Sequence, residues 1–215
     1  NLCTWFVLKE YRAYSLKLVA HILSQKDFMF TTLTLKPGYV KMHEAFHFSK
    51  YDNTRYLYIF HCSIFLSLNF QAKIYSKVSD MESILTPEAL KISQDHAPLS
   101  IVKQLAVKVL HKSCLILYIV GSAQCMPYAN IIYVSDPDLY SKYYLSIGKH
   151  LLNKEHAFYS RILAGHLNQM PSLSFRGKSE PPMMYRGEFL DGKCPKEVYS
   201  QVTLAASIAS FQKDL

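Results

Sequence analysis

Residues Cys114–Leu139 read CLILYIVGSAQCMPYANIIYVSDPDL, and the fold class turns on this stretch. Cys114–Val120 is an unbroken apolar run rich in Leu, Ile and Val, closed by Gly121. A short run of that kind, bounded by a turn residue, predicts a strand buried on both faces. Ile131–Val134 repeats the pattern and predicts a second buried strand. Ser135-Asp136-Pro137 then reads as a helix start, with a capping side chain followed by proline in the first turn. The helix is expected to run to about Leu152, with Asn153 as its stop.

Upstream, Val102, Leu105, Ala106, Val109 and Leu110 fall at three- and four-residue spacing, which predicts an amphipathic helix over 99–112. Thr86-Pro87-Glu88 predicts another helix start by the same capping logic. The run from Tyr56 to Phe70 is uncharged and is ambiguous between two strands and one buried helix. Residues 4–25 carry a helical apolar stripe, Phe28–Leu35 reads as a strand ending at Lys36-Pro37-Gly38, and Tyr39–Phe48 as a short helix. Downstream, Glu155–Asn168 is expected to be helical. From Met170, prolines 171, 181, 182 and 195 mark a loop-rich tail with short strands. Helices and strands without strict alternation make the fold class α+β, around one core. The chain reads as one domain or a fragment, starting at Asn1, with a weak boundary near residues 75–97.

Composition narrows the function classes. Half of the 215 residues are hydrophobic, which excludes wholesale disorder and fibrous repeats. Lys and Arg outnumber Asp and Glu by 24 to 16, giving a formal charge of +8. These cations are scattered, with no run of three and no nucleic-acid-binding motif, so solubility explains them better than nucleic acid does. The five cysteines form no CxxC pair and the chain has no N-glycosylation sequon, so an intracellular, reducing compartment is expected. Tyr56–Ala72 is uncharged, but His61, Asn69 and Gln71 shorten its apolar part below the ~20 residues a spanning helix needs, which speaks against a membrane span. Glycine-rich phosphate loops and the GxSxG elbow of serine hydrolases are both missing from the sequence. His111 with Cys114, and His61 beside Cys62, read better as structural pairs than as nucleophile sites, since free Cys is usually buried. Tyr140, Tyr143 and Tyr144 read as packing residues on a helix rather than a stacking platform.

Two motifs carry candidate chemistry. His43-Glu44-Ala45-Phe46-His47 is a literal HExxH. On a helix, His43 and His47 would share a face and reach one zinc ion, and Glu44 would take a proton from metal-bound water. The motif resembles that of the zincin metallopeptidases, which implies hydrolysis of a peptide bond. The third ligand stays open among Asp80, Glu82 and His61. The metzincin continuation is not present, because Lys50 and Asn53 stand where Gly and His or Asp belong.

The second motif is Tyr185-Arg186-Gly187, followed by a serine-bearing stretch with Ser207 and Ser210. This tail resembles the arginine-type ADP-ribosyltransferases. The resemblance implies Arg186 as a ligand of NAD phosphate, with Ser210 or Ser207 supporting the nicotinamide site. The two serines are three apart rather than two, and the family's Glu-x-Glu does not follow.

Neither motif is complete. The sequence by itself therefore favours a basic binding or structural module over an enzyme, with a protein partner suggested by 16 Tyr and 12 Phe. A zinc metallohydrolase using His43, Glu44 and His47 is the first alternative. A truncated ADP-ribosyltransferase-like module is the second.

Overall fold

The computed structural model describes residues 8–32, 35, 37–51, 56–61, 72–177 and 183–187. The chain divides into two compact units. One comprises Asn1–Thr54 with Ser179–Cys194, and the other Arg55–Lys178 with Pro195–Leu215. Residues 75–97 lie inside the second, so the division falls elsewhere than at the weak composition shift.

The smaller unit holds α1 (Ser15–Leu23), β1 (Phe30–Thr32), α2 (Val40–Ala45) and β2 (Ser49–Lys50). A strand from far along the chain, Met184–Arg186, pairs antiparallel with both β1 and β2 and is the middle strand of this sheet. Leu23, Leu35, Phe48 and Met184 form its core. A 3-10 turn over Lys9–Tyr14 leads into α1, so the predicted helix over 4–25 is realised in part.

The larger unit is built on a seven-stranded sheet. In chain order come β3 (Tyr56–Phe60), β4 (Lys73–Tyr75), α3 (Val78–Met81), α4 (Pro87–His96), β5 (Lys103–Val109), β6 (Lys112–Ala123) and β7 (Met126–Val134). Next follow α5 (Pro137–Glu155), β8 (Tyr159–Leu163) and β9 (Ser174–Arg176), and the middle strand of the small sheet becomes β10. The strands lie in the order β4-β5-β6-β7-β8-β3-β9. All neighbours are antiparallel except β7 and β8, which run parallel and are joined by α5.

The sheet is covered on both faces. Leu105, Val107, Cys114, Ile116, Tyr118, Ile131 and Ile162 pack with Tyr140, Tyr143, Tyr144, Ile147 and Leu151 of α5. On the other face Ala106, Leu115, Leu117 and Ile119 meet Met81 of α3 and Ala89 of α4. Each such fully buried aliphatic side chain contributes about 1.5–3 kcal/mol. The two central runs read as strands from sequence are strands, and the class is α+β. Tyr140, Tyr143 and Tyr144 are packing residues, buried in this core.

Two expected helices are strands. Residues 99–112 hold β5, because a strand covered on both faces is apolar at nearly every position and satisfies helical spacing by accident. Leu110, taken for a core position, is 84% exposed at the tip of the β5–β6 hairpin with φ of 52°. Glu155–Asn168 likewise holds β8 and a 3-10 turn over Ala164–His166. α5 runs past Asn153 and stops where His156 turns left-handed at φ 54°. Thr86 caps α4 as read, its hydroxyl accepting from the Ala89 amide at 3.3 Å. No described helix is long and apolar enough to cross a membrane; residues 56–60 are β3, and 62–71 lie outside the described residues.

Candidate functional site

The pairing of the parallel strands β7 and β8 ends part-way along β7. Its register runs from Tyr128 opposite Tyr159 to Ile131 opposite Ile162 and stops there. β7 continues through Ile132, Tyr133 and Val134, while β8 ends at Leu163 and turns into the 3-10 segment. The two strands thus part at their carboxyl ends. In sheets with a helical crossover, such a gap is where ligands enter.

A bulge sits at the same place. Leu117 of β6 pairs with Tyr133, yet the adjacent Tyr118 pairs with Ile131, so Ile132 is an extra residue in β7. An inserted residue twists the strand and re-aims its side chains. Here Ile132 and Tyr133 both pack towards α3 and α4, breaking the alternation that Ile131 and Val134 keep on the α5 side. Ile132, Tyr133, Val134 and His166 line a narrow notch at the gap, and His166 is buried there.

The turn from β7 into α5 is tightly closed. Ser135 is bound to β6 from both sides: its amide donates to the Leu115 carbonyl at 2.9 Å and its hydroxyl accepts from the Leu115 amide at 2.8 Å. One Asp136 carboxylate oxygen, Oδ1, accepts from the amides of Asp138 at 3.1 Å and Leu139 at 2.9 Å. Beside this turn the Cys114 Sγ lies 3.4 Å from the Asp136 carbonyl. Burial pushes that thiol up to about 11, so it is protonated near neutrality and is no nucleophile.

At the far end of α5, Tyr118 donates to Glu155 Oε1 at 3.0 Å, and Lys103 bonds the other carboxylate oxygen. Burial works to raise the Glu155 pKa, but the bonds from Lys103 and Tyr118 and the charges of Lys103 and Lys154 outweigh it and hold the carboxyl below its usual range. Burial, then the Glu155 charge, pushes the Tyr118 phenol far up. This trio ties β5 and β6 to the helix. It is structural and lies away from the notch.

The residues singled out in the sequence are arranged differently from their expected roles. α2 ends at Ala45, Phe46 is its cap, and His47 has a left-handed φ of 62°. His47 is therefore outside the helix, and the shared face that HExxH needs is not formed. His43 Nδ1 donates to the Tyr39 carbonyl at 3.0 Å, and Glu44 pairs with Lys50 at 2.7 Å. Asp80, Glu82 and His61 belong to the larger unit. Among the described residues, no group of three or more His, Cys, Asp and Glu can hold a metal ion.

His61 is buried: its Nδ1 donates to the Ala157 carbonyl at 2.8 Å and its Nε2 accepts from Ser160 Oγ at 3.2 Å. Arg186 ends β10 as expected, but its Nη1 donates to the Phe46 carbonyl at 3.1 Å. Ser207 and Ser210 lie outside the described residues, as does Cys62.

No protein-family model matches the sequence, and neither does any curated protein. Solved structures do match in shape. A GCN5-related N-acetyltransferase from Anabaena variabilis superposes with a TM-score of 0.52 at 13% identity, covering 82% of this chain and 52% of its own. Eis1 from Mycobacterium abscessus (TM-score 0.48, 10% identity, 84% and 54% covered) and a GCN5-related N-acetyltransferase from Kribbella flavida (0.45, 9%, 80% and 72%) are further matches. The chain has the fold of the Anabaena acetyltransferase.

It spans about half the length of that protein. Neither zincins nor ADP-ribosyltransferases are among these matches. The likeness corrects the functional expectation: the binding or structural module, the metallohydrolase and the truncated ADP-ribosyltransferase all give way to a fold found in acetyl-transferring enzymes, and the leaning against an enzyme goes with them.

Beyond Ile131 the β7 strand has no β8 partner, and Ile132, Tyr133, Val134 and His166 line the notch there. The helix start does not offer an anion seat. Pro137 has no N–H, the Asp138 and Leu139 amides are taken by Asp136, and the Tyr140 amide is bonded to the Asp136 carbonyl at 3.0 Å. A diphosphate finds no donor there. The sequence signal for this gap was IIYV followed by Ser-Asp-Pro. It was read correctly as strand and helix start, but a bulge and a parting of strands leave no mark in composition.

Proposed function

We propose that the larger unit transfers an acyl group, acetyl in the first instance, to an amine at the gap between β7 and β8. The observation that carries this reading is the coincidence of the Ile132 bulge with the end of the parallel pairing, at the mouth of the notch. The fold likeness supports it. The chain's own contribution is positional. Ile132, Tyr133 and Val134 wall the gap together with His166.

His166 is the imidazole of the notch, and its task is to take the proton the amine sheds as the C–N bond forms and to pass it to the thiolate released as the thioester C–S bond breaks. Label transfer from radioactive acetyl-coenzyme A and from acetyl-pantetheine to a panel of primary amines tests the reading. Transfer above buffer is expected, falling ~100-fold or more in a folded His166→Ala variant. No transfer from either donor to any amine, with the wild type shown to be folded, overturns it.

A further inference from the structure

The start of α5 opens the helical crossover between the two parallel strands, directly after the unpaired end of β7. Helix starts in that position attract phosphate through free amides and the positive end of the dipole. In this chain every donor of the first turn is accounted for. Pro137 contributes none, Asp136 Oδ1 accepts from both Asp138 and Leu139, and the Tyr140 amide closes the first helical bond. Asp136 and Asp138 place two carboxylates at the start of α5, and Asp138 also accepts from Asn168 Nδ2 at 3.0 Å. The turn Ser135-Asp136-Pro137 has no Gly, Lys or Arg to bring a phosphate close or to neutralise it.

We infer that Asp136 acts as a built-in anion that closes the start of α5, so that the larger unit takes its acyl donor by the thioester-bearing arm and not by a diphosphate. The donor half of this inference rests on the acyl-transfer reading; the closed helix start does not. A donor bound in this way is an acyl thioester for which the nucleotide end contributes nothing to recognition. Acetyl-pantetheine, which lacks the diphosphate, then serves as well as acetyl-coenzyme A.

The test follows the backbone amide signals of Asp138 and Leu139 by NMR in the full chain while inorganic pyrophosphate, coenzyme A and pantetheine are added separately. In the wild type both signals are expected to stay in place with pyrophosphate and with coenzyme A. In Asp136→Gly, a substitution that costs a helix start only a few tenths of a kcal/mol, pyrophosphate is expected to move them to saturation. Saturable movement in the wild type overturns the inference, and so does a folded Asp136→Gly whose two signals ignore pyrophosphate. The wild-type titration decides alone if the variant does not fold.

A parallel assay compares the two acetyl donors. Equal use within a factor of about three supports the donor half, whereas a preference of ~10-fold or more for acetyl-coenzyme A, about 1.4 kcal/mol, overturns it. Unmoved signals with no transfer from either donor leave the closed helix start standing and remove the acyl-transfer reading. Moving signals with good transfer do the reverse.

Discussion

Gly148 lies on the buried face of α5, and a methyl group there would fall 2.7 Å from His61 Cδ2 and 3.2 Å from its Cγ. The imidazole cannot swing aside without loss, because its two nitrogens are held by the Ala157 carbonyl and the Ser160 hydroxyl. Gly148→Ala therefore sets two effects against each other. Helix propensity favours alanine by about 1 kcal/mol. Overpacking a tight core costs typically 1–3 kcal/mol. The net effect is a loss of about 0–2 kcal/mol, the small difference of two larger numbers.

A double-mutant cycle separates them. With the ring removed by His61→Ala, the clash disappears and Gly148→Ala is expected to stabilise by about 1 kcal/mol. The coupling between the two positions, read from urea midpoints and slopes, is then about 1–3 kcal/mol. If Gly148→Ala stabilises both backgrounds equally, the ring does not press on α5 and the packing argument is wrong.

Acid should weaken the larger unit in a defined direction. Burial lowers the pKa of His61, and burial with the Lys154 charge lowers that of His150, so the unfolded chain takes up these protons first. Stability is full above about pH 6.5 and drains as pH falls towards the folded values, by at most ~1.4 kcal/mol per pH unit for His61 and by less for His150, whose half-exposed ring is screened by solvent. Urea midpoints between pH 7 and 5 check this, and His61→Gln should flatten the slope. Tyr118→Phe removes a bond to the buried Glu155 carboxylate and should cost about 1.5–3 kcal/mol by the same assay. Glu44→Gln breaks only the exposed pair with Lys50, so a change above ~1 kcal/mol would contradict the surface reading of that motif. Maleimide labelling followed by peptide mapping should modify Cys125, which is exposed, in the native protein and Cys114 only on unfolding.

How far the sequence could be read depended on whether local chemistry or distant partners decided an element. Thr86 and Asp136 announced their helices because a cap is a contact within three residues. β5 did not announce itself, since nothing within Lys103–Val109 tells a stripe on one face from burial on two; α4 on one face and α5, remote in sequence, on the other make that difference. HExxH failed on a local detail that the motif conceals: His47 lies past the end of a six-residue helix. The gap between β7 and β8 was invisible for a third reason. It is the place where a pairing stops, and a missing partner has no residue type.

The smaller unit has one more consequence. Its middle strand, β10, comes from beyond the whole of the larger sheet, and β1 and β2 pair with it on either side. As the chain leaves the ribosome, β1 and β2 emerge early and have nothing to lie against until Met184–Arg186 has been made. The larger sheet, complete by β9, can assemble before that moment. Of the two sheets, the one whose outer strands are synthesised earlier is thus the one that closes last.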